Sequence, residues 1–136
     1  MRFKDEYAFL SNMTICPIEY KGIIYKCTEN MYQAFKSNNI NERIKISSMN
    51  PYESKKYGKT IDIRDDWDVV KDKVMLNALK LKFSKPHFAK LLIDIKEPII
   101  EDNYWGDIYW GVCRGVGQNK LGKMLEKIKE EIEKDR

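Results

Sequence analysis

At 136 residues the chain is long enough for one domain to bury a core without metal or disulfide support. A hydrophobic fraction of 43% and a charged fraction of 34% exclude a disordered chain, and the longest apolar runs fall far short of the eighteen residues of a membrane span. The net charge of +4 favours an anionic ligand or nucleic acid without requiring either.

Cys16, Cys27 and Cys113 lack C-x-x-C spacing and His87 is the only histidine, so neither a disulfide framework nor a zinc site is supported. The start, M-R-F-K-D-E-Y, has no apolar signal core, and a reducing cytoplasm is the expected setting.

Tyr7 to Asn12 is apolar and then abruptly polar, which predicts a short buried piece ending in a turn. Ile18-Glu19-Tyr20 and Ile23-Ile24-Tyr25 flank Lys21-Gly22 and read as a small hairpin. Next comes T-E-N-M-Y-Q-A-F-K, Thr28 to Lys36. At helical spacing it sets Glu29, Tyr32, Gln33 and Lys36 in one row and Met31, Ala34 and Phe35 opposite, with Thr28 as N-cap. Such a row is either a solvated face or one wall of a pocket holding an acid, an amide, a phenol and an amine.

A second helix is expected over about Glu42 to Met49, and a short one from Pro51 to Tyr57, closed by Gly58. Arg64 falls in a loop before Trp67. From there Trp67, Val70, Val74, Ala78 and Leu81 recur at helical steps, and Lys71, Lys73, Lys80, Lys82 and Lys85 give the helix a basic outer surface. Pro86 to Ile95 reads as another helix, with Phe88, Leu91 and Leu92 for the core, and Pro98 to Glu101 as a short strand.

Asp102 to Gly122 holds five of the seven glycines and two of the three tryptophans, a mixture suited to a loop that brings backbone and rings close to a ligand. Lys120 to Lys134 closes the chain as an amphipathic helix. The fold class is α+β: one compact, mainly helical domain over residues 1–136, with a small N-terminal hairpin and short strands.

Three clusters carry candidate chemistry: Ser11-Asn12, the Glu29/Gln33/Lys36 row, and Trp105-Gly106-Asp107 with Asn119. None matches a P-loop, a Rossmann fingerprint or a Ser/His/Asp arrangement. Amides and carboxylates suit ribose hydroxyls, rings suit a base, and Arg or Lys suits phosphate.

The order F-L-S-N (9–12), T-E-x-x-Y-Q-A-x-K (28–36), R-x-D-W (64–67), V-M-x-x-A-L-x-x-K-F (74–83), I-E (100–101), Y-W-G-D (104–107) and G-x-N-x-L-G (117–122) strongly resembles the NADAR, or YbiA-like, family over nearly the whole chain. The resemblance implies an N-glycosidase that needs no metal or cofactor. Family members remove ADP-ribose from modified guanine in nucleic acid or nucleotide, and others hydrolyse phosphoribosylamino-pyrimidine intermediates of riboflavin synthesis. Neither a membrane nor an obligate protein partner is expected.

By resemblance Glu29, Lys36 and Asp107 are the catalytic candidates, and Asn119 matches the asparagine of the last motif. Ser11, Asn12, Tyr32, Gln33, Arg64, Trp105, Gly106 and Asn119 are the substrate-binding candidates: Gln33, Ser11 and Asn12 for ribose hydroxyls, Arg64 for the pyrophosphate, Trp105 for a base. Ser11-Asn12 reads equally as a turn, Arg64 as a salt-bridge partner, and Asn119 as the N-cap of the last helix; Trp67 is read as core.

Two departures from the family stand out. Asn30 replaces a histidine common after the glutamate, and Ile108 to Val116 is longer and more aromatic. For Lys36 two roles are open, an amine nucleophile that forms a Schiff base with the sugar, or a charge partner for phosphate. The rival to an enzyme is a module that only binds ADP-ribose.

Overall fold

The computed structural model describes residues 1–136, which form two compact units. Residues 12–82 make one unit, and residues 1–11 with 83–136 make the other. No helix is long and apolar enough to cross a membrane.

The unit of residues 12–82 opens on an antiparallel hairpin, β1 (Ile18–Tyr20) and β2 (Ile23–Tyr25), in the register Ile18 to Tyr25 and Tyr20 to Ile23. Lys21 and Gly22 both have positive φ, 49° and 85°, the pair of left-handed residues that a two-residue hairpin turn needs. Alternation then turns Ile18 and Tyr25 into the core and leaves Glu19 and Ile24 outside. Helices α1 (Thr28–Ala34), α2 (Ile40–Ser47), α3 (Pro51–Tyr57) and α4 (Trp67–Phe83) follow. Asn39 caps α2 by accepting from the N–H groups of Asn41 and Glu42, and Asn50 caps α3 by accepting from Tyr52 N–H, with Pro51 at the first helical position.

Both ends of α1 and the burial of one side chain of α4 differ from the sequence expectation. Cys27 stands at the N-cap of α1, and Thr28 is its first helical residue, since the Thr28 hydroxyl donates to Asn12 Oδ1 (2.8 Å) and not to its own helix. The helix ends at Ala34, so Lys36 lies beyond it in a turn, with its N–H on Gln33 O (3.2 Å). Lys82 is no part of an outer basic surface: it is 0% exposed. Met75, Ala78 and Leu79 form the buried stripe of α4, and Lys82 is the next position on it.

The other unit contains a 3₁₀ helix (Asp5–Leu10), α5 (Pro86–Ile93), two short parallel strands, β3 (Asp102–Asn103) and β4 (Val112–Cys113), and α6 (Lys120–Lys134). Leu121, Leu125 and Ile128 are the buried face of α6. Residues 98–101 are not a strand. Their backbone groups bond to side chains instead: Ile99 N–H to Glu126 Oε1 (2.9 Å), Ile99 O from Asn119 Nδ2 (3.0 Å), and Glu101 N–H to Asn119 Oδ1 (3.0 Å). Asn119 at the start of α6 and Glu126 within it thus satisfy the segment that a neighbouring strand would otherwise pair.

Lys82 sits among buried side chains with the thiols of Cys16 and Cys27 nearby, and burial lowers its pKa from 10.5 to about 8. Folding therefore costs about 3 kcal/mol at neutral pH, where the unfolded chain keeps the proton freely. Between about pH 8 and 10.5 the unfolded state binds more protons than the folded one, so this contribution to stability rises with pH across that window. Lys82→Met should be more stable than the parent protein at pH 7 in urea melts, with the gap closing toward pH 10.5. A gap that stays constant would mean that Lys82 keeps its proton on folding.

Candidate active site

Helix α1 is seven residues long and every one of them is buried. A helix with four polar side chains can be enclosed only if each of those side chains is bonded. The Thr28 hydroxyl bonds to Asn12, and Glu29 N–H, one of the unpaired donors of the first turn, donates to Asn12 O (3.1 Å). Asn30, which is 0% exposed, donates from Nδ2 to the carbonyls of Ile46 and Met49 (both 2.9 Å) and accepts from Cys27 Sγ (3.0 Å). Its amide fastens α1 to the C-terminal end of α2.

Glu29 and Gln33 face each other one turn apart. Gln33 Nε2 donates to Glu29 Oε2 at 2.6 Å, with Glu29 8% and Gln33 3% exposed. The reading of this row as a solvated face is therefore excluded. The carboxylate accepts and cannot donate, so it fixes which end of the carboxamide points at it. Gln33 Oε1 is left pointing away, buried, and accepting no hydrogen bond from the chain.

Lys36 is half-buried, and its backbone is held by Arg64 N–H on Lys36 O (2.8 Å). Its ammonium is 5.9 Å from the centre of the Tyr32 ring, which in turn lies 5.0 Å from the ring of Trp67. Burial lowers the Lys36 pKa; Glu29 opposes that shift, and Lys59 and Lys55 reinforce it. An acid, an amide oxygen without a donor, and an amine of reduced basicity are thus gathered on α1 and the turn after it, with lysines of the α3 end within electrostatic reach.

Arg64 is turned toward a neighbour of its own loop. Its Nε and Nη2 donate to the two oxygens of Asp66 (2.6 and 3.1 Å), a two-point pair that raises the arginine and lowers the aspartate pKa. Trp67 is buried, as its place in the helix pattern implied. Asn12 is the anchor of the α1 N-terminus, and its Nδ2 contacts Met75 Sδ (3.6 Å).

The remaining candidates belong to the unit of residues 1–11 and 83–136. Ser11 ends the 3₁₀ helix, its N–H on Ala8 O (3.0 Å). Trp105 is 53% exposed with Tyr104 edge-on at 5.2 Å, and Gly106 follows at φ 87°. Asp107 organises the turn after it: Oδ1 accepts from both Tyr109 N–H (3.0 Å) and Trp110 N–H (2.9 Å). Asn103 holds the Asp107 backbone on both sides, donating to its carbonyl (2.8 Å) and accepting from its N–H (3.1 Å). Asn119 occupies the N-cap position of α6 but makes no cap bond; its side chain is spent on Ile99 and Glu101. No group of three His, Cys, Asp or Glu side chains is placed to hold a metal ion.

Two residues have roles that differ from what their residue types suggest in the sequence. The charge of Lys82 suggests exposure, yet its spacing from Ala78 and Leu79 places it on the buried stripe. Gly58 reads locally as a helix stop, and nothing near it in the sequence tells that Gln33 packs against it.

The model of the NADAR domain matches residues 1–133. The N-glycosidase YbiA of Escherichia coli (strain K12) is 29% identical over 134 residues, which cover 94% of this chain and 83% of that protein. An N-glycosidase of Nostoc punctiforme is 28% identical over 134 residues, 93% of this chain and 86% of that one. The riboflavin biosynthesis protein PYRR, chloroplastic, of Zea mays is 32% identical over 120 residues, 76% of this chain and 19% of that protein. The NMR structure of E. coli YbiA matches with a TM-score of 0.85 at 28% identity, over 99% of this chain and 83% of that chain. A family match over almost every residue, joined to the same fold, makes this chain a member of the NADAR domain family.

Proposed function

We propose that this chain hydrolyses N-glycosidic bonds, and that its substrate is an ADP-ribosylated guanine base in nucleic acid or nucleotide, from which it releases ADP-ribose. The observation that carries the reading is the buried Glu29 carboxylate, bonded to Gln33 at 2.6 Å, within electrostatic reach of an amine of lowered pKa at Lys36. Loss of a base from ribose builds positive charge on C1 and on the ring oxygen, and a carboxylate in a water-poor site stabilises that charge or activates water.

In the amine route the Lys36 nitrogen forms a bond to C1, the bond from C1 to the base nitrogen breaks, and the base leaves with a proton. Water then cleaves the C1-to-lysine bond, returning the free amine and the sugar, so the net reaction consumes one water. Burial favours the unprotonated amine that this route needs. Lys55 and Lys59 suit the phosphates of the substrate. A second reading, hydrolysis of a phosphoribosylamino-pyrimidine, is favoured by the similarity to the maize riboflavin protein.

An oligonucleotide bearing ADP-ribosylated guanosine, followed by mass after incubation with the protein, tests the reading. Release of ADP-ribose is expected, falling roughly a hundredfold or more in Glu29→Ala and in Lys36→Ala. Calorimetry should find ADP-ribose bound nearly as well by Lys36→Ala if the lysine is the nucleophile, and clearly more weakly if it is a charge partner. Binding without release would sink the enzyme reading; release only from the pyrimidine nucleotide would move it to the second substrate.

The pH profile carries its own test. Activity that needs the free Lys36 amine rises as pH passes the lysine's pKa, and removing the nearby positive charge in Lys59→Met raises that pKa. The ascending limb should therefore move to higher pH in Lys59→Met; a limb that stays in place argues for Lys36 as a charge partner.

Asp107 can be tested without disturbing its turn. Asn at this position keeps one acceptor oxygen for the two backbone N–H groups that Oδ1 now accepts. Asp107→Asn should keep its melting temperature and lose turnover if the carboxylate takes part in the reaction; full activity would make Asp107 a turn residue only.

A further inference from the structure

Gly58 follows the last residue of α3 with φ −59° and ψ −17°, values that suit any amino acid, so backbone conformation gives no reason for glycine. Space does. A Cβ at this position would lie 2.0 Å from Gln33 Oε1 and 2.9 Å from Gln33 Cδ, with Ser54 O at 3.3 Å. The carboxamide has little room to retreat: it is 3% exposed, and its Nε2 is already bonded to Glu29 Oε2 at 2.6 Å. Gln33 is thus gripped from both sides, by the bare Cα of Gly58 on its oxygen side and by the carboxylate of Glu29 on its nitrogen side.

We infer that Gly58 is a positioning residue for Glu29, acting through Gln33: the missing side chain at the end of α3 leaves the slot that holds the Gln33 carboxamide, and the carboxamide holds the carboxylate. The catalytic consequence rests on the N-glycosidase reading, whereas the chain of contacts does not. A methyl group at position 58 displaces Oε1, turns Nε2 away from Glu29, and takes that donor from the carboxylate. A carboxylate that loses a hydrogen-bond donor becomes a weaker acid. Misplacement of the order of 1 Å at a reacting group costs about a hundredfold in rate.

Three variants test the inference, Gly58→Ala, Gln33→Ala and the double variant. Two readouts are taken on each: the titration of the Glu29 side-chain carboxyl by carbon NMR in the free protein, and kcat and KM on the cleaved substrate. Gly58→Ala and Gln33→Ala should each move the Glu29 midpoint upward by about one pH unit and lower kcat with KM nearly unchanged. In the double variant the alanine at 58 should add little, because Gln33 Oε1 and Cδ are gone and only Ser54 O, at 3.3 Å, is left close to the methyl group.

An unmoved Glu29 midpoint in Gly58→Ala overturns the inference, as does a loss that adds in full to that of Gln33→Ala. If Gly58→Ala does not fold, the double variant decides. Folding with the melting temperature of Gln33→Ala supports the inference, and failure to fold overturns it by showing that the methyl strikes something else. If none of the proteins cleaves an N-glycoside, the NMR titration still decides this inference, and the failure belongs to the proposed reaction alone.

Discussion

The hydrogen bond between Gln33 and Glu29, 2.6 Å long and sealed from water, is the constraint on which the rest of the unit formed by residues 12–82 depends. A buried carboxylate is expensive, and a seven-residue helix has no cooperative length to hold one in place by itself. The helix is instead fastened along its whole length: Asn12 at its first turn, the end of α2 through Asn30, Gly58 beside Gln33, and Arg64 N–H on the carbonyl of Lys36. Each of these bonds or contacts comes from a different loop or helix end. The short helices α2 and α3 serve mainly to present those ends to α1.

Polar burial on this scale draws on stability, and Lys82 adds to the draw. What offsets it is the apolar remainder of the same unit: Ile18, Tyr25, Met31, Ile46, Met75 and Leu79 are all 2% exposed or less. At roughly 1.5–3 kcal/mol for each large apolar side chain removed from water, a handful of them outweighs one buried amine and one buried acid. The hairpin and α4 are therefore the stabilising frame, and α1 is the element that frame allows to be polar.

Much of this frame was legible in the sequence because its signals are local. Lys21-Gly22 between alternating residues specified the hairpin, Pro51 the start of α3, and the three- and four-residue steps from Trp67 the longest helix. The row of Glu29, Gln33 and Lys36 was legible for the same reason. Its burial was not, since whether a polar face meets water is decided by α2 and α3, and nothing within Thr28 to Lys36 encodes their approach. Residues 98–101 misled in a related way: their partners are Asn119 and Glu126, far along the chain and acting through side chains. At Lys82 the helical period is a better guide to burial than the charge of the side chain.

The Lys36 amine draws its reduced basicity from causes of unequal permanence. Burial is the largest and belongs to the fold; the repulsion from Lys59 and Lys55 is smaller and belongs to exposed side chains. An anionic ligand resting on those two lysines would cancel the second contribution and leave the first, because a phosphate neutralises charge but does not return water to the site. Glu29 works against both, and it would cease to do so on taking up a proton. Protonation of Glu29 and release of the proton from Lys36 are therefore mutually favourable: moving one proton from the amine to the carboxylate removes two charges from a poorly hydrated site. The Gln33 carboxamide suits either state of that acid, since a carboxylate accepts from its Nε2 and a carboxylic acid retains an acceptor oxygen for the same bond.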